Sequence, residues 1–309
     1  FKNSLVLDGE ADSEETLSQI MFRQGSLKKA AEHCQNAFDI YKKLKNKDRM
    51  VQSRILSVEI NEALGNPAEA LKQLKEAIDI SKTGIDRKTS NYLRLGVARF
   101  RLTRENTDKG LEAALEAKRD FVAMGDVRGI AEANFTLGLG YELKGNASNG
   151  KELLELALNK HRQMGDRYNE GKDLTALGVI FKNQGSIDRA EQTFTQALEL
   201  RKSIGDLRGY AANLVNLANI YRRKSMNSKA SENLQKALGI YRQVSDKKGE
   251  ADALTNLANL DGLDGSYRAA MEKFNLALEL HKQTSDIRGI ATDLISIGSL
   301  HIVAGDIES

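Results

Sequence analysis

Aspartate recurs at Asp86, Asp126, Asp166, Asp206, Asp246 and Asp286, a constant step of 40 residues, and alanine keeps the same step through Ala37, Ala77, Ala117, Ala157, Ala197, Ala237 and Ala277. Two residue types locked to one period along a whole chain mean a tandem array of one structural unit. An array grows by stacking, so 309 residues need not share a single core at its upper size limit.

Each unit reads as two helices. In residues 206–245, Ala211, Leu214, Leu217, Ala218 and Tyr221 fall at the three-and-four spacing of a helix face. Asp206 precedes that run and is placed to cap it, its carboxylate accepting from free backbone N–H groups. The chain breaks at Ser225, and a second helix follows from about Ser228 to Gln243 with an inner face of Ala230, Leu234, Ala237, Leu238 and Tyr241. The break carries Gly25, Gly65, Gly145, Gly185, Gly265 and Gly305, with Glu105 and Ser225 as exceptions. Glycine there suits a helix end that needs a left-handed residue. The next position reads Ser26, Asn66, Asn106, Asn146, Ser186, Met226, Ser266 and Asp306, all but Met226 able to cap the second helix. The only proline, Pro67, takes the first helical position, where its missing N–H costs nothing.

Small residues mark where helices cross. Ala30, Ala70, Ala190, Ala230 and Ala270 share one second-helix position, with Gly110 and Gly150 elsewhere; Gly138, Gly178, Ala218, Ala258 and Gly298 share one in the first helix. Larger side chains there would overpack, costing roughly 1–3 kcal/mol.

Composition excludes several function classes. A net charge of +3 is too weak to argue for nucleic acid or an anionic membrane. Cys34 is the only cysteine, which rules out an internal disulfide and fits a reducing, cytoplasmic compartment. No apolar run is long enough to span a bilayer.

The repeat resembles the tetratricopeptide repeat. The family pattern, Leu-Gly-x-x-Tyr in the first helix and two alanines seven apart in the second, is matched by Leu217-Ala218…Tyr221 with Ala230…Ala237, and by Leu177-Gly178…Phe181 with Ala190…Ala197. The usual unit is ~34 residues. The longer unit here, with its Gly-Asp-x-Arg-Gly link at Gly125 to Gly129 and Gly205 to Gly209, is similar to the branch that includes kinesin light chain, the Pins/LGN adaptors and bacterial regulators. The resemblance implies an all-α fold, a right-handed superhelix (an α-solenoid) of antiparallel helix pairs. It would hold seven full units, at about 6–45, 46–85, 86–125, 126–165, 166–205, 206–245 and 246–285, with partial units at both ends, the last at 286–309. Two units depart: Ser57-Val58 and Val97-Ala98 replace the Leu-Gly pair, which predicts less regular packing there.

The termini align inside the repeat. Phe1-Lys2 matches the last turn of a second helix and Gly9-Glu10-Ala11 the opening of a first helix, while Gly305-Asp306 is a turn that should launch another helix. The expectation is a segment of a longer protein, whose uncapped ends would favour self-association.

Catalytic chemistry finds no support. Gly145 to Lys151 has phosphate-loop spacing, but Glu152 stands where Ser or Thr should meet magnesium, and no strand precedes it. Cys34 aligns with Leu74, Leu154, Phe194, Leu234 and Phe274 as a core position, and His33 should face solvent. His161, His281 and His301 have no partner at metal-ligand spacing. The linker aspartates sit on separate units and serve as caps. Arg128, Arg208 and Arg288 read as structural, each able to pair with a nearby aspartate or remain solvated. No enzyme activity, cofactor or metal is expected.

What remains is the groove. In this family the first helices line the concave wall and their variable polar positions read a ligand. Carried over by position, the wall holds Lys172, Val179, Lys182 and Asn183, then Val215, Asn219, Arg222 and Arg223, then Asp252, Thr255 and Asn259. Asn219 and Asn259 match positions where family members clamp a peptide backbone or terminal carboxylate, while Asn216 and Asn256 should bond the adjacent helix. Lys182, Arg222 and Arg223 supply a positive field suited to an acidic peptide; the same arginines also read as ordinary helix-end charge. The resemblance therefore implies a non-catalytic scaffold or adaptor with a protein or peptide partner. The alternative is a sensory domain whose superhelix responds to a ligand and controls a fused effector, such as a transcription regulator, protease or cyclase.

Overall fold

The computed structural model describes the backbone of residues 2–104 and 106–305. Expectations that fall on Phe1, Glu105 and Asp306 lie outside the described residues. The described helices are α1 (Lys2–Arg23), α2 (Leu27–Lys43), α3 (Lys47–Ala63), α4 (Pro67–Ser81), α5 (Arg87–Arg104), α6 (Thr107–Met124), α7 (Val127–Leu143), α8 (Ala147–Gln163), α9 (Arg167–Asn183), α10 (Ile187–Ser203), α11 (Leu207–Arg223), α12 (Asn227–Gln243), α13 (Lys247–Leu263), α14 (Tyr267–Gln283) and α15 (Ile287–Ala304). They form the expected solenoid of antiparallel pairs, and no strand occurs among the described residues. From α3 onward each odd-numbered helix touches the next odd-numbered helix as well as its chain neighbours, so the odd helices line the inside of the curve.

The links obey the cap reading. Each of the six linker aspartates accepts a backbone N–H three residues on, from Asp86 with Thr89 at 2.6 Å to Asp286 with Gly289 at 3.2 Å. The turn caps are weaker than expected. Asn106 and Asn146 accept the N–H three residues on, but Ser26, Asn66, Ser186 and Ser266 make no such bond. Two turns differ from expectation. Helix α1 is continuous from Lys2, so no linker falls between Lys2 and Gly9. Val58 and Ala98 keep the buried crossing position, and the irregularity falls in the link instead, where α4 ends early at Ser81 and Gly84 turns left-handed.

The core is one small side chain facing one larger one, repeated. A Cβ on Gly138 would lie 2.7 Å from Leu154, and one on Gly178 would lie 2.5 Å from the Phe194 ring. Where the first-helix residue is alanine, Ala218 packs with Leu234 and Ala258 with Phe274. Cys34 occupies this position in its unit, buried, its thiol donating to the Ser53 carbonyl and pushed up to about 12 by burial.

Ser225 takes the left-handed conformation, φ +58°, that glycine fills in most other turns. The left-handed region costs a residue with a Cβ about 1 kcal/mol or more. Ser225→Gly is therefore expected to stabilise the array by up to about 1 kcal/mol, net of the extra unfolded-state freedom. A lower thermal midpoint for the variant would contradict this.

Candidate functional site: the inner wall

Inner-wall polarity begins in the links. The second residue of an odd helix sends a cation to the next unit's capping aspartate: Lys88 to Asp126 at 3.2 Å, Arg128 to Asp166 at 4.0 Å, Arg208 to Asp246 at 2.6 Å and Lys248 to Asp286 at 2.7 Å. Each aspartate thus caps one helix and anchors the previous one, which fixes the relative rotation of neighbouring units. At Tyr168 the ladder is broken. Asp206 is taken instead by Arg201 from the preceding helix, an ion pair buried on both sides.

The interruption opens onto a cavity of about 390 Å³ lined by Phe22, Glu59, Tyr168, Lys172, Arg208 and Asp252 among others, and a second of about 180 Å³ shares Phe22, Glu59, Tyr168 and Lys172. Most of its charges are matched. Arg99 binds Glu59 at 3.0 Å and also binds Glu132. Burial opposes ionisation of Glu132, yet the charges of Arg99 and Lys172 hold its carboxyl at about 2. Lys172 differs. Its ammonium lies 4.9 Å from the Phe135 ring centre and 5.9 Å from that of Tyr168, and although its charge reaches Glu132 it makes no ion pair within 4.0 Å among the described residues. Arg23 stacks on Tyr168 at 4.8 Å. Burial, then the Asp206 carboxylate, keep the Tyr168 hydroxyl protonated well above its ordinary range.

The residues expected from sequence separate into groups. Lys172 and Asp252 line the larger cavity. Lys182, Asn183 and Arg223 come together along the ends of α7, α9 and α11: Arg223 donates to the Lys182 carbonyl at 3.3 Å and Asn183 to Glu142 at 2.7 Å. Burial, then the Arg223 charge, lower the Lys182 ammonium below its usual range, as expected where like charges meet. Arg222 is exposed beside them, and Asn219 is half-buried. Val179 and Val215 pack on the edge of the core. Asn259 borders depressions further along, one of them with Tyr267 and Leu300.

Two expectations are corrected. Thr255 is buried and donates to Asp293 at 2.6 Å, because an aspartate facing the core must be satisfied by a donor. Asn256 donates to the Asp252 carbonyl of its own helix; the bond between helices is made by Asn213, donating to Thr175 at 3.1 Å.

Sequence reasoning also passed over the histidines. His161 meets Asp173, and His281 meets Asp293, each at 2.6 Å and each fully buried. The pairs occupy equivalent positions three units apart. His281 gains a second carboxylate, Asp252 at 3.4 Å. Burial works against its charge, but hydrogen bonds to Asp252 and Asp293 raise it to about 9. Asp173 lacks a hydroxyl like that of Thr255, since Phe135 stands there, and burial raises its carboxyl to about 6 against the pull of His161. Among the described residues no cluster suits a metal ion, and no helix is long and apolar enough to cross a membrane.

Comparisons with known proteins agree with this architecture. The tetratricopeptide repeat family matches residues 10–83 and 209–283, and a second model of the same repeat matches 174–208. No curated protein matches the sequence. Among solved structures, a Rap protein complexed with competence and sporulation factor is similar at 12% identity over 96% of this chain and 89% of that one, with a TM-score of 0.69. A signal transduction ATPase with numerous domains and a tetratricopeptide repeat sensor, from Pyrococcus horikoshii, is 16% identical over 94% of this chain and 46% of its own, with a TM-score of 0.63. Kinesin light chain-like repeats of Podosopora anserina are 13% identical over 65% of this chain and 99% of theirs, with a TM-score of 0.51. At such identities the likeness concerns the fold alone, whereas the family matches span most of the sequence. The chain belongs to the tetratricopeptide repeat family.

Proposed function

We propose that the protein is a non-catalytic interaction module that holds an acidic peptide against the inner wall of its superhelix. The observation that carries this reading is Lys172: a cation on an aromatic platform, bordering a cavity, with no carboxylate in ion-pair contact. Its charge is felt by Glu132 at longer range, and an acidic side chain or chain terminus is the group that would give it a contact partner. The crowded cations Lys182 and Arg223, with Arg222 beside them, extend the same field along the wall. Asn219 and Asn259 offer amides to the peptide backbone, and Asp252 limits the register by repelling like charge.

The test is fluorescence anisotropy with labelled hexaglutamate at two ionic strengths. Lys172→Gln and the double variant Arg222→Glu/Arg223→Glu are each expected to weaken binding by about tenfold and to flatten its salt dependence. Unchanged affinity in both would remove this wall as the reading surface.

A sensory domain governing an attached effector is the second reading. It is favoured by the contact of Gly25 with Val244 and of Gly65 with Thr284 near the two ends of the array, and by similarity to structures whose names include a repeat sensor and a bound factor. The full-length gene discriminates: a fused effector domain supports sensing, whereas repeats alone support scaffolding.

A further inference from the structure

The array curves far enough for its first hairpins to meet its last links. The turn glycines Gly25 and Gly65 are buried, although the equivalent Gly145 and Gly185 are exposed. What covers them is distant in sequence. A Cβ on Gly25 would lie 2.7 Å from Val244, and one on Gly65 would lie 2.6 Å from Thr284. Both contacts span the same 219 positions, so two successive units meet two successive links in one register. Val244 and Thr284 are buried, whereas Met164 and Ile204 at the equivalent positions are half-exposed. Helices α1 and α11 touch, and Arg23 reaches across to Tyr168. The same hairpins bring Phe22 and Glu59 over the cavity that holds Lys172.

We infer that the first two hairpins form a clasp that closes the inner wall, and that a ligand reaches Lys172 only when the contacts of Gly25 with Val244 and Gly65 with Thr284 release. This rests on the inner-wall reading above and adds its regulation. At the two glycines the contact is made by carbon atoms of Val244 and Thr284, and among the described residues no ion pair crosses the clasp there, so it can open at modest cost. A solenoid accommodates the motion as small rotations shared among many unit interfaces. Glycine is required twice over at each turn: for its positive φ, +80° at Gly25 and +74° at Gly65, and for the absence of a Cβ against the facing link.

The amides of Gly25, Gly65, Gly145 and Gly185 all donate to the carbonyl three residues back, so their hydrogen exchange isolates the effect of the clasp. In the unaltered protein Gly25 and Gly65 are expected to exchange at least about tenfold more slowly than Gly145 and Gly185. Val244→Lys/Thr284→Lys should bring the four rates together and raise the radius of gyration in solution scattering while leaving helical circular dichroism intact. Val244→Ala/Thr284→Ala, which adds no charge, should shift the rates in the same direction by less. Met164→Lys, two units earlier, should change neither rate nor radius. Equal exchange at all four glycines in the unaltered protein, or rates that both double variants leave unmoved, would overturn the clasp. Labelled hexaglutamate should associate at least about fivefold faster with the lysine variant. Equal association rates overturn the gate alone. No binding to either protein overturns the gate together with the inner-wall reading, and the exchange rates tell that result from failure of the clasp.

Discussion

Asp293→Ala is expected to destabilise the C-terminal units by about 3–5 kcal/mol, the cost of removing the buried partner of His281 and leaving it only the exposed Asp252 at 3.4 Å. Asp293 accepts from both His281 and Thr255, and both His281 and Asp293 are shut off from water. The array itself supplies the rescue. Forty residues earlier the same niche is filled by Tyr241 against Ala253, both buried. The double variant His281→Tyr/Asp293→Ala should therefore recover all but about 1–3 kcal/mol, since it copies the Tyr241–Ala253 pair but leaves the Thr255 hydroxyl without its acceptor. The unaltered protein should show the pH signature of the pair. Because the folded state raises His281 from 6.5 to about 9, its contribution is fully present below pH 6.5 and is lost as pH rises through about 9. That loss is on the order of 3 kcal/mol, and the double variant should lack it. Urea denaturation followed by circular dichroism at pH 6 and pH 9.5 measures both. Equal stability of the single and double variants would show that the pair is not what the niche requires.

Phe194→Ala should cost about 3–5 kcal/mol, the usual range for removing a fully buried aromatic side chain. Phe194 is wholly shielded, belongs to a cluster drawing on α7 to α11, and lies against Gly178. Because each unit leans on its neighbours, a cavity at this depth should lower the midpoint of the central units rather than fray one end. The complementary change is again written elsewhere in the chain: Ala218 faces Leu234. Phe194→Leu combined with Gly178→Ala reproduces that pair and should cost under about 1.5 kcal/mol. A double variant as unstable as Phe194→Ala would mean that the crossing positions do not act as matched pairs.

Much of this was legible because the repeat is its own alignment. The step of 40 residues located both helices of each unit, the capping aspartates, the glycine turns and the buried place of Cys34. The histidine pairs were also within reach. His161 and His281 each precede an aspartate by twelve residues, at positions where Phe121 and Tyr241 precede Ala133 and Ala253. Metal-ligand spacing does not reveal them, because each histidine meets a single aspartate on the next helix. Tyr168 carried a signal too, as an uncharged residue in the run Lys88, Arg128, Arg208, Lys248 and Arg288, a position that turns acidic only earlier in the chain, at Asp8 and Asp48. The contributions of Phe22, Glu59 and the clasp could not be read in advance. They depend on superhelical pitch, the sum of many small rotations between units, and no single residue encodes it. For the same reason the family resemblance, carried over by position, puts Thr255 on the open wall: it gives the face of a helix, but not whether the next helix covers it.

An acidic peptide bound to this protein should sit on the inner wall. Hydrogen exchange footprinting with saturating hexaglutamate should show protection on the inner helices at Tyr168 to Lys172, Arg208 to Ala212 and Lys248 to Asp252, with the even-numbered helices unchanged. Protection confined to the outer helices, or none at saturation, would contradict it.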